Sequence, residues 1–427
     1  MSFPTHDNRP LGRHRGDGAV SGPKRLDVDY DHHSPRFAET WPEQYRDMRA
    51  HCPVARTDNY GGFYVLSRYA DVRHAAQDYG TFSSAHDDER GGIMIPPSPT
   101  RLGFIEMDPP GQLAYRRLLV SAFTPKAVRA YEPRLRALVD RAIDRFIEQG
   151  TFDVVDDLAN PIPAIVTLDL MGLPLDDWER FALPLHRMVY VEQSDPDFGD
   201  VLGELEWIQQ RLGEEVADRL ATPRDDLVTT LATAEIDGAP IPPETAVEML
   251  FMLLTGGVET SGGLIAAGMR YLSEHPDQRR RLIDDPGLLP RAVNEFVRYF
   301  SPSTGVSRTV MRDCELSGVP LRKGDTVWLA WGSAARDEEF VTDPDTLRID
   351  RNPGENPNFG FGTHRCLGSH LVLADMRIIL EQVLTRLPDF HVDTARSERF
   401  PRAGIINGYL RMPATCAAGA RVHPEEL

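Results

Sequence analysis

The stretch Phe359-Gly360-Phe361-Gly362-Thr363-His364-Arg365-Cys366-Leu367-Gly368 decides how the rest of this chain is read. Two glycines precede a lone cysteine and one follows it. Glycine permits tight backbone paths and close approach to a flat ligand. A helical pattern runs from about Leu367 to Leu387 and stops before Pro388, so a helix is expected to begin at the cysteine. The free N–H groups and dipole of a helix start stabilise a thiolate, and a thiolate fixed in this way can serve as an axial metal ligand. The bland alternative is a buried thiol in a Gly-rich turn, which is the better reading of an arbitrary lone cysteine. A dinucleotide-binding fingerprint is not met, because Arg365 stands where the third glycine belongs and no apolar strand leads in.

Upstream, the pattern predicts a helix over 243–275 that starts after Pro242-Pro243. Its 33 residues would span ~50 Å at 1.5 Å per residue, enough to cross the molecule. The centre reads Leu254-Thr255-Gly256-Gly257-Val258-Glu259-Thr260. Each mid-helix glycine costs ~1 kcal/mol relative to Ala, and a buried acid is costly unless paired. Three unfavourable choices side by side point to function. Gly256 and Gly257 leave room for a flat cofactor against the helix, and Glu259 and Thr260 offer a carboxyl and a hydroxyl for moving protons. The plainer account is a kink with a satisfied acid.

The remaining chain bounds the possibilities. Of its 427 residues, 41% are hydrophobic and 26% charged, as in soluble globular proteins. Lys plus Arg number 47 against 65 Asp plus Glu, a formal net charge of −18, which argues against nucleic acid as a partner. No uninterrupted apolar run reaches the ~18 residues of a membrane span. Cys52, Cys314, Cys366 and Cys416 are far apart and form no C-x-x-C, so zinc-type spacing is absent. Met1–Lys24 lacks an apolar signal-peptide core. Free thiols and a cytoplasmic location are expected.

Residues 1–26 read as a mobile tail and 27–427 as one large domain. Strands are expected at Val54–Arg56 and Phe63–Leu66 and within Glu315–Leu329, with Ser67 capping a helix through Val72 and Ala75. Further helices are expected near 126–149, 161–172, 176–191, 199–222, 277–284 and 288–300. The fold class is mainly α with small β-sheets.

The cysteine stretch resembles the haem-binding loop of the cytochrome P450 enzymes. Gly256–Thr260 is similar to that family's G-G-x-acid-Thr motif, and Glu295 with Arg298 to its E-x-x-R pair, with Arg351 as a third member of that network. Met107–Arg117 is similar to the start of the helix beside the haem, with Gln112 where many members have His, as in the camphor-hydroxylase type. The matches run in family order from about residue 60 to 411. The resemblance implies a single P450 fold with a long central helix over haem b (iron protoporphyrin IX). It implies Cys366 as the metal ligand and His364, Arg308, Arg116 and Gln112 as propionate contacts, with Gly256, Phe359 and Gly362 against the haem. Thr260 and Glu259 become the catalytic residues.

The activity implied is monooxygenation: one atom of O2 enters a small apolar substrate, with a terpenoid or steroid favoured over a fatty acid or polyketide. No flavin-type segment and no ferredoxin cysteine cluster is present, so electrons are expected from a ferredoxin or flavodoxin with its reductase. Arg116, Arg117, Arg365 and Arg377 are expected to form a basic docking face. The substrate contacts implied are Met94, Phe104, Phe251, Met252, Thr255, Val306, Ile405 and Ile406. The alternatives are a haem-binding protein without monooxygenase activity and a peroxide-driven peroxygenase. The acid–Thr pair argues against both.

Overall fold

Prolines and short polar residues start the helices where the sequence places them. In the computed structural model, which describes residues 27–98, 101–191, 195–352, 354–402 and 404–423, Thr124 accepts the N–H of Ala127 and opens the helix Pro125–Asp144. The helix Pro161–Met171 ends on Gly172 in the left-handed conformation (φ 81°). Trp178–Tyr190, Phe198–Ala221, Pro276–Asp284, Leu289–Phe300 and Ser369–Arg386 follow the expected ranges. The helix expected to reach residue 149 stops at Asp144. The N-terminal tail expected over 1–26 lies outside the described residues.

Pro35–His51 is a helix outside the expected set. Ser34 caps it, and it buries Phe37, Trp41, Tyr45 and Met48 along one face. Ser67 does not cap the next helix. Its hydroxyl donates to the Pro53 carbonyl, and the first-turn N–H of Tyr69 goes to the Asp337 carboxylate at 2.7 Å.

The expected hairpin pairs Val54–Thr57 with Phe63–Leu66 in an antiparallel register. It extends into a five-stranded sheet through Thr326–Leu329, Val306–Val310 and Phe82–Ser83. Thr326–Leu329 runs parallel to Phe63–Leu66 and antiparallel to Val306–Val310. A separate hairpin, Cys314–Leu316 with Val319–Leu321, turns at Ser317-Gly318. The largest apolar core gathers side chains from Pro125–Asp144, Glu259–Glu274, Leu289–Phe300 and Ser369–Arg386.

The central helix departs from the expected single rod. It forms as Pro243–Gly257 and Glu259–Glu274, with Val258 (φ −83°, ψ −65°) between them. Val258 N–H still reaches Leu254 O at 3.2 Å, and Gly262 N–H reaches Val258 O at 2.9 Å, so the two pieces remain stacked. The glycine pair leaves that turn without side-chain packing to hold it straight. Residues Pro243–Glu274 are long and apolar enough to cross a membrane, but 67% of the apolar window is buried inside the protein, as befits a core helix.

Candidate functional site

The cysteine loop is fixed by its own backbone and by three neighbouring elements. Cys366 N–H donates to Phe359 O at 2.7 Å, closing the loop on itself. Gly360 (φ 67°) and Gly362 (φ 66°) make the turns that allow this, in a region where a side chain is strained. Phe361 is 1% exposed and packs edge-on against Tyr69 and Trp331. Phe359 belongs to the main core. Asn358 donates to Val297 O at 2.7 Å and Asn356 to Asn294 O at 2.9 Å, which ties the loop to the helix Leu289–Phe300.

That helix carries the charge network read from the sequence. Arg298 donates to Glu295 at 2.6 and 2.8 Å, and Arg351 to Glu295 at 3.0 Å. Glu295 and Arg298 are both 0% exposed. Arg298 also takes Ala335 O and Pro344 O, so the network is a structural brace behind the loop.

The helix does not begin at Cys366. It begins at Ser369, with Gly368 as its cap. The thiol is pushed up by burial, although the Gly368 N–H, Arg116 and Arg365 pull it down. The expected stabilisation by a helix start is therefore outweighed by desolvation. A thiolate at Cys366 needs a metal cation, which deprotonates a coordinating thiol outright. The thiol is accessible although dense protein surrounds it, so it lines an interior space.

Two guanidiniums near the loop have no carboxylate within 4 Å among the described residues. Arg308, on the strand Val306–Val310, is 4% exposed and donates only to Ser307 O, at 2.7 Å. Burial brings its pKa down to about 10, with Asp108 and Glu106 acting in the opposite sense. Arg116 donates to Arg365 O at 2.6 Å, and burial lowers it too. Buried cations of this kind call for an anionic partner.

His364 and Gln112, expected as propionate contacts, each make a contact within the protein. His364 Nε2 lies 3.0 Å from Ser84 Oγ and the ring also bonds the Met107 backbone. Burial, then Arg308 and Arg116, lower its pKa to about 3, so it is neutral. Gln112 donates to Thr363 O at 2.9 Å and clamps the cysteine loop, while its Oε1 is unpartnered and buried. Both side chains hold the loop to the segment before it.

On the central helix, Gly256 is exposed between the buried Leu254 and Val258, and a Cβ there would meet nothing within 4 Å. It faces open space, as expected. Gly257 instead meets Thr167 Oγ1. Glu259 and Thr260 are successive helical residues, so their side chains point ~100° apart. Thr260 Oγ1 donates back to Gly256 O at 2.9 Å. Glu259 is buried with Oε2 3.0 Å from His186 Nδ1, and its Oε1 has no partner among the described residues. It borders a cavity of about 10 Å³ that Asn160, Gly262, Gly263 and Tyr409 also line. That is close to the space one water needs. His186, on Trp178–Tyr190, sits between the rings of Tyr190 and Phe400. Sequence reasoning missed it, because a single His on an amphipathic helix carries no signal.

The expected substrate contacts divide into groups. Phe104 (2% exposed) and Met252 (7%) are in one core cluster, with Phe251 against it. Thr255 Oγ1 donates to Met252 O at 3.1 Å, within its own helix. Val306 packs on the cluster beneath the sheet, and Ile405 packs on another that holds Trp328 and Ile95. Ile406 bridges to Ser303, and Met94 O accepts from Ser307 Oγ. Phe104 is thus a core side chain rather than an open lining residue.

A family model described as Cytochrome P450 matches residues 283–403. Cytochrome P450 130 of Mycobacterium tuberculosis is 33% identical over 378 residues, covering 84% of this chain and 92% of that protein. The steroid C26-monooxygenase of Mycolicibacterium smegmatis is 33% identical over 392 residues, covering 89% and 94%. A solved Mycobacterium marinum cytochrome P450 in complex with pseudoionone superposes with a TM-score of 0.84 at 26% identity, covering 93% of this chain and all of that one.

Proposed function

The chain belongs to the cytochrome P450 family, a haem b monooxygenase acting on small molecules, and from that premise we propose which residues serve the reaction and what it oxidises. Cys366 would supply the thiolate that holds the haem iron. Arg308 and Arg116 hold the two haem propionates. Gly256 and the glycines of the cysteine loop leave room for the flat ring. The observation that carries this reading is the accessible interior thiol of Cys366, set near two guanidiniums that lack carboxylate partners. A metal with a dianionic flat macrocycle satisfies all three groups at once.

When bound, the haem supplies oxygen activation and transfer of one oxygen atom to a C–H bond. The protein does the rest. The core around Phe104 and Met252 excludes water. Thr260, whose hydroxyl is free to rotate from Gly256 O, presents a proton at Oγ1. Glu259 offers Oε1 for proton relay, and His186 fixes its other oxygen. The small cavity beside Glu259 has room for the water that links this carboxyl to its surroundings.

The substrate is a neutral apolar molecule of the terpenoid or steroid class. The apolar character of Met94, Phe251, Met252, Val306 and Ile406 supports it, as do the steroid activity named for one relative and the pseudoionone bound by another. Electrons come from a ferredoxin or flavodoxin with its reductase. Of the four arginines expected on a docking face, Arg377 is neutralised by Glu132 and Glu381, and Arg116 is turned inward to Arg365 O. Arg117 is exposed and Arg365 half-buried, and these two remain available.

The test is reconstitution with a ferredoxin and its reductase, in parallel with peroxide, against testosterone and linalool. Product with the ferredoxin system and little with peroxide is the expected result. Turnover with peroxide alone favours the peroxygenase, and haem binding without turnover favours the non-catalytic reading. Reduction should slow as salt rises if Arg117 and Arg365 steer the partner. A rate unchanged by salt removes the electrostatic part of the proposal.

A further inference from the structure

Glu106 carries a carboxylate that the reaction does not use. Its side chain is 0% exposed. Oε1 accepts the N–H of Ile93 at 2.9 Å, Oε2 accepts the N–H of Leu102 at 2.7 Å, and His86 Nδ1 lies 3.2 Å from Oε2. Gly92 stands at φ 72°, and a Cβ there would overlap the carboxylate. A buried carboxylate is costly unless donors surround it. Here the donors are two backbone groups far apart in the loop, and bonds to an ionised acceptor are stronger than neutral ones.

What the carboxylate holds is informative. Next to Ile93, Gly92 O accepts from Ser307 Oγ at 2.9 Å, and Ile93 O accepts from Ser307 N–H at 2.8 Å. That docks the turn before Met94 on the strand that carries Val306. Next to Leu102, the Cβ position of Gly103 lies 3.5 Å from Met252 Cβ, and Phe104 shares a core cluster with Met252. One carboxylate thus fastens the backbone beside Met94 and the backbone beside Phe104. Met94, Met252 and Val306 are among the side chains assigned to the substrate, and Phe104 packs in the core cluster that holds Met252.

We propose that Glu106 is a positioning residue that sets substrate selectivity, by fixing the backbone at Ile93 and Leu102 and so the placement of Met94 and Phe104. It touches neither substrate nor haem. The proposal rests on the reading that Met94, Met252 and Val306 surround the substrate space, with Phe104 packed behind Met252.

The test uses the haem-loaded full chain. Glu106→Gln keeps the shape but turns an amide NH2 toward one of the two N–H groups. Amide exchange at Ile93 and Leu102 should accelerate about tenfold or more, with the central helix unchanged. Dissociation constants are then measured by Soret-shift titration for two probes that bind the parent chain, taken from testosterone, linalool and palmitate. Their ratio should change about threefold or more, while imidazole affinity stays within about twofold. Gly92→Ala displaces the same carboxylate from the other side and should reproduce both effects. Unchanged exchange at Ile93 and Leu102, or an unchanged probe ratio in both variants, overturns the proposal. Absence of a haem-thiolate spectrum in the parent chain would overturn the assigned function instead, and the exchange result would still stand by itself.

Discussion

The cysteine loop and the glycine break in the central helix are both poor secondary structure, yet they are held in different ways. The loop is gripped from many sides: by Phe359 O on Cys366 N–H, by Asn358 from below, by Gln112 on Thr363 O and by the Phe361 ring in the core. The break relies on few contacts. Thr260 bonds within its own helix, and Glu259 reaches one side chain, His186. A change in the loop should therefore cost cofactor binding or folding. A change at the break should alter proton traffic and leave the fold alone.

The largest effect is expected at the centre of the loop. Cys366→Ser should abolish the red-shifted Soret band of the ferrous carbon monoxide complex. Cys52→Ser and Cys416→Ser should keep it, because Cys52 packs in an apolar cluster and Cys416 at the core edge. The difference spectrum of each purified variant reads the outcome. A normal band in Cys366→Ser would remove the ligand assignment.

Next comes the brace behind the loop. Arg298→Met removes two bonds to Glu295 and leaves that wholly buried carboxylate with Arg351 and the Arg348 N–H. Breaking a buried ion pair from one side costs about 3–5 kcal/mol. Urea unfolding should show a loss of that order, together with weaker haem retention. A loss under about 1 kcal/mol would mean that the loop does not depend on this network.

The two regions also differ in how far the sequence reveals them. The loop was readable because its constraints are local: positive-φ glycines, a lone cysteine and a following helix sit in one short stretch. Even there the helix start was misplaced by three residues, since the helix begins at Ser369 rather than Cys366. The Glu295–Arg298 brace was readable only through its resemblance to the family's E-x-x-R pair, since i, i+3 spacing alone marks an ordinary surface contact. Long-range partners were not. His186 lies 73 positions from Glu259, and no local pattern announces that contact. The contacts of His364 with Ser84 and of Gln112 with Thr363 O were likewise not announced by any local pattern. The bend at Val258 follows from two adjacent glycines, but whether such a turn stays straight depends on what packs around it. Pro35–His51 was missed although its aromatic spacing is helical, because its charged and polar majority masks the pattern.

At the break, Thr260→Ala removes one hydroxyl that bonds only to Gly256 O. Stability should change by no more than about 1 kcal/mol. Product formed per reducing equivalent should fall and hydrogen peroxide should rise to match. Measuring NAD(P)H consumption, product and peroxide together decides it. If the ratio stays constant, the back-bond to Gly256 is all that Thr260 contributes, and the break carries no proton through this hydroxyl.

The smallest effect is expected at His186, which acts on the reaction only through Glu259. In His186→Gln the amide can still donate to Glu259 Oε2 and still fits between Tyr190 and Phe400, but it cannot pick up and release a proton. Glu259 itself is retained, so the proton-dependent step should slow by about tenfold or less, below the range seen when a proton-transfer group is itself removed. The solvent deuterium isotope effect on turnover should rise, and Glu259→Gln should slow the step further. His186→Phe fills the aromatic slot without any donor and separates packing from hydrogen bonding. If both His186 variants match the parent in rate and isotope effect, the contact serves only to seat Trp178–Tyr190 on the central helix. If His186→Phe alone is slow, the histidine acts by aiming the Glu259 carboxyl rather than by carrying a proton.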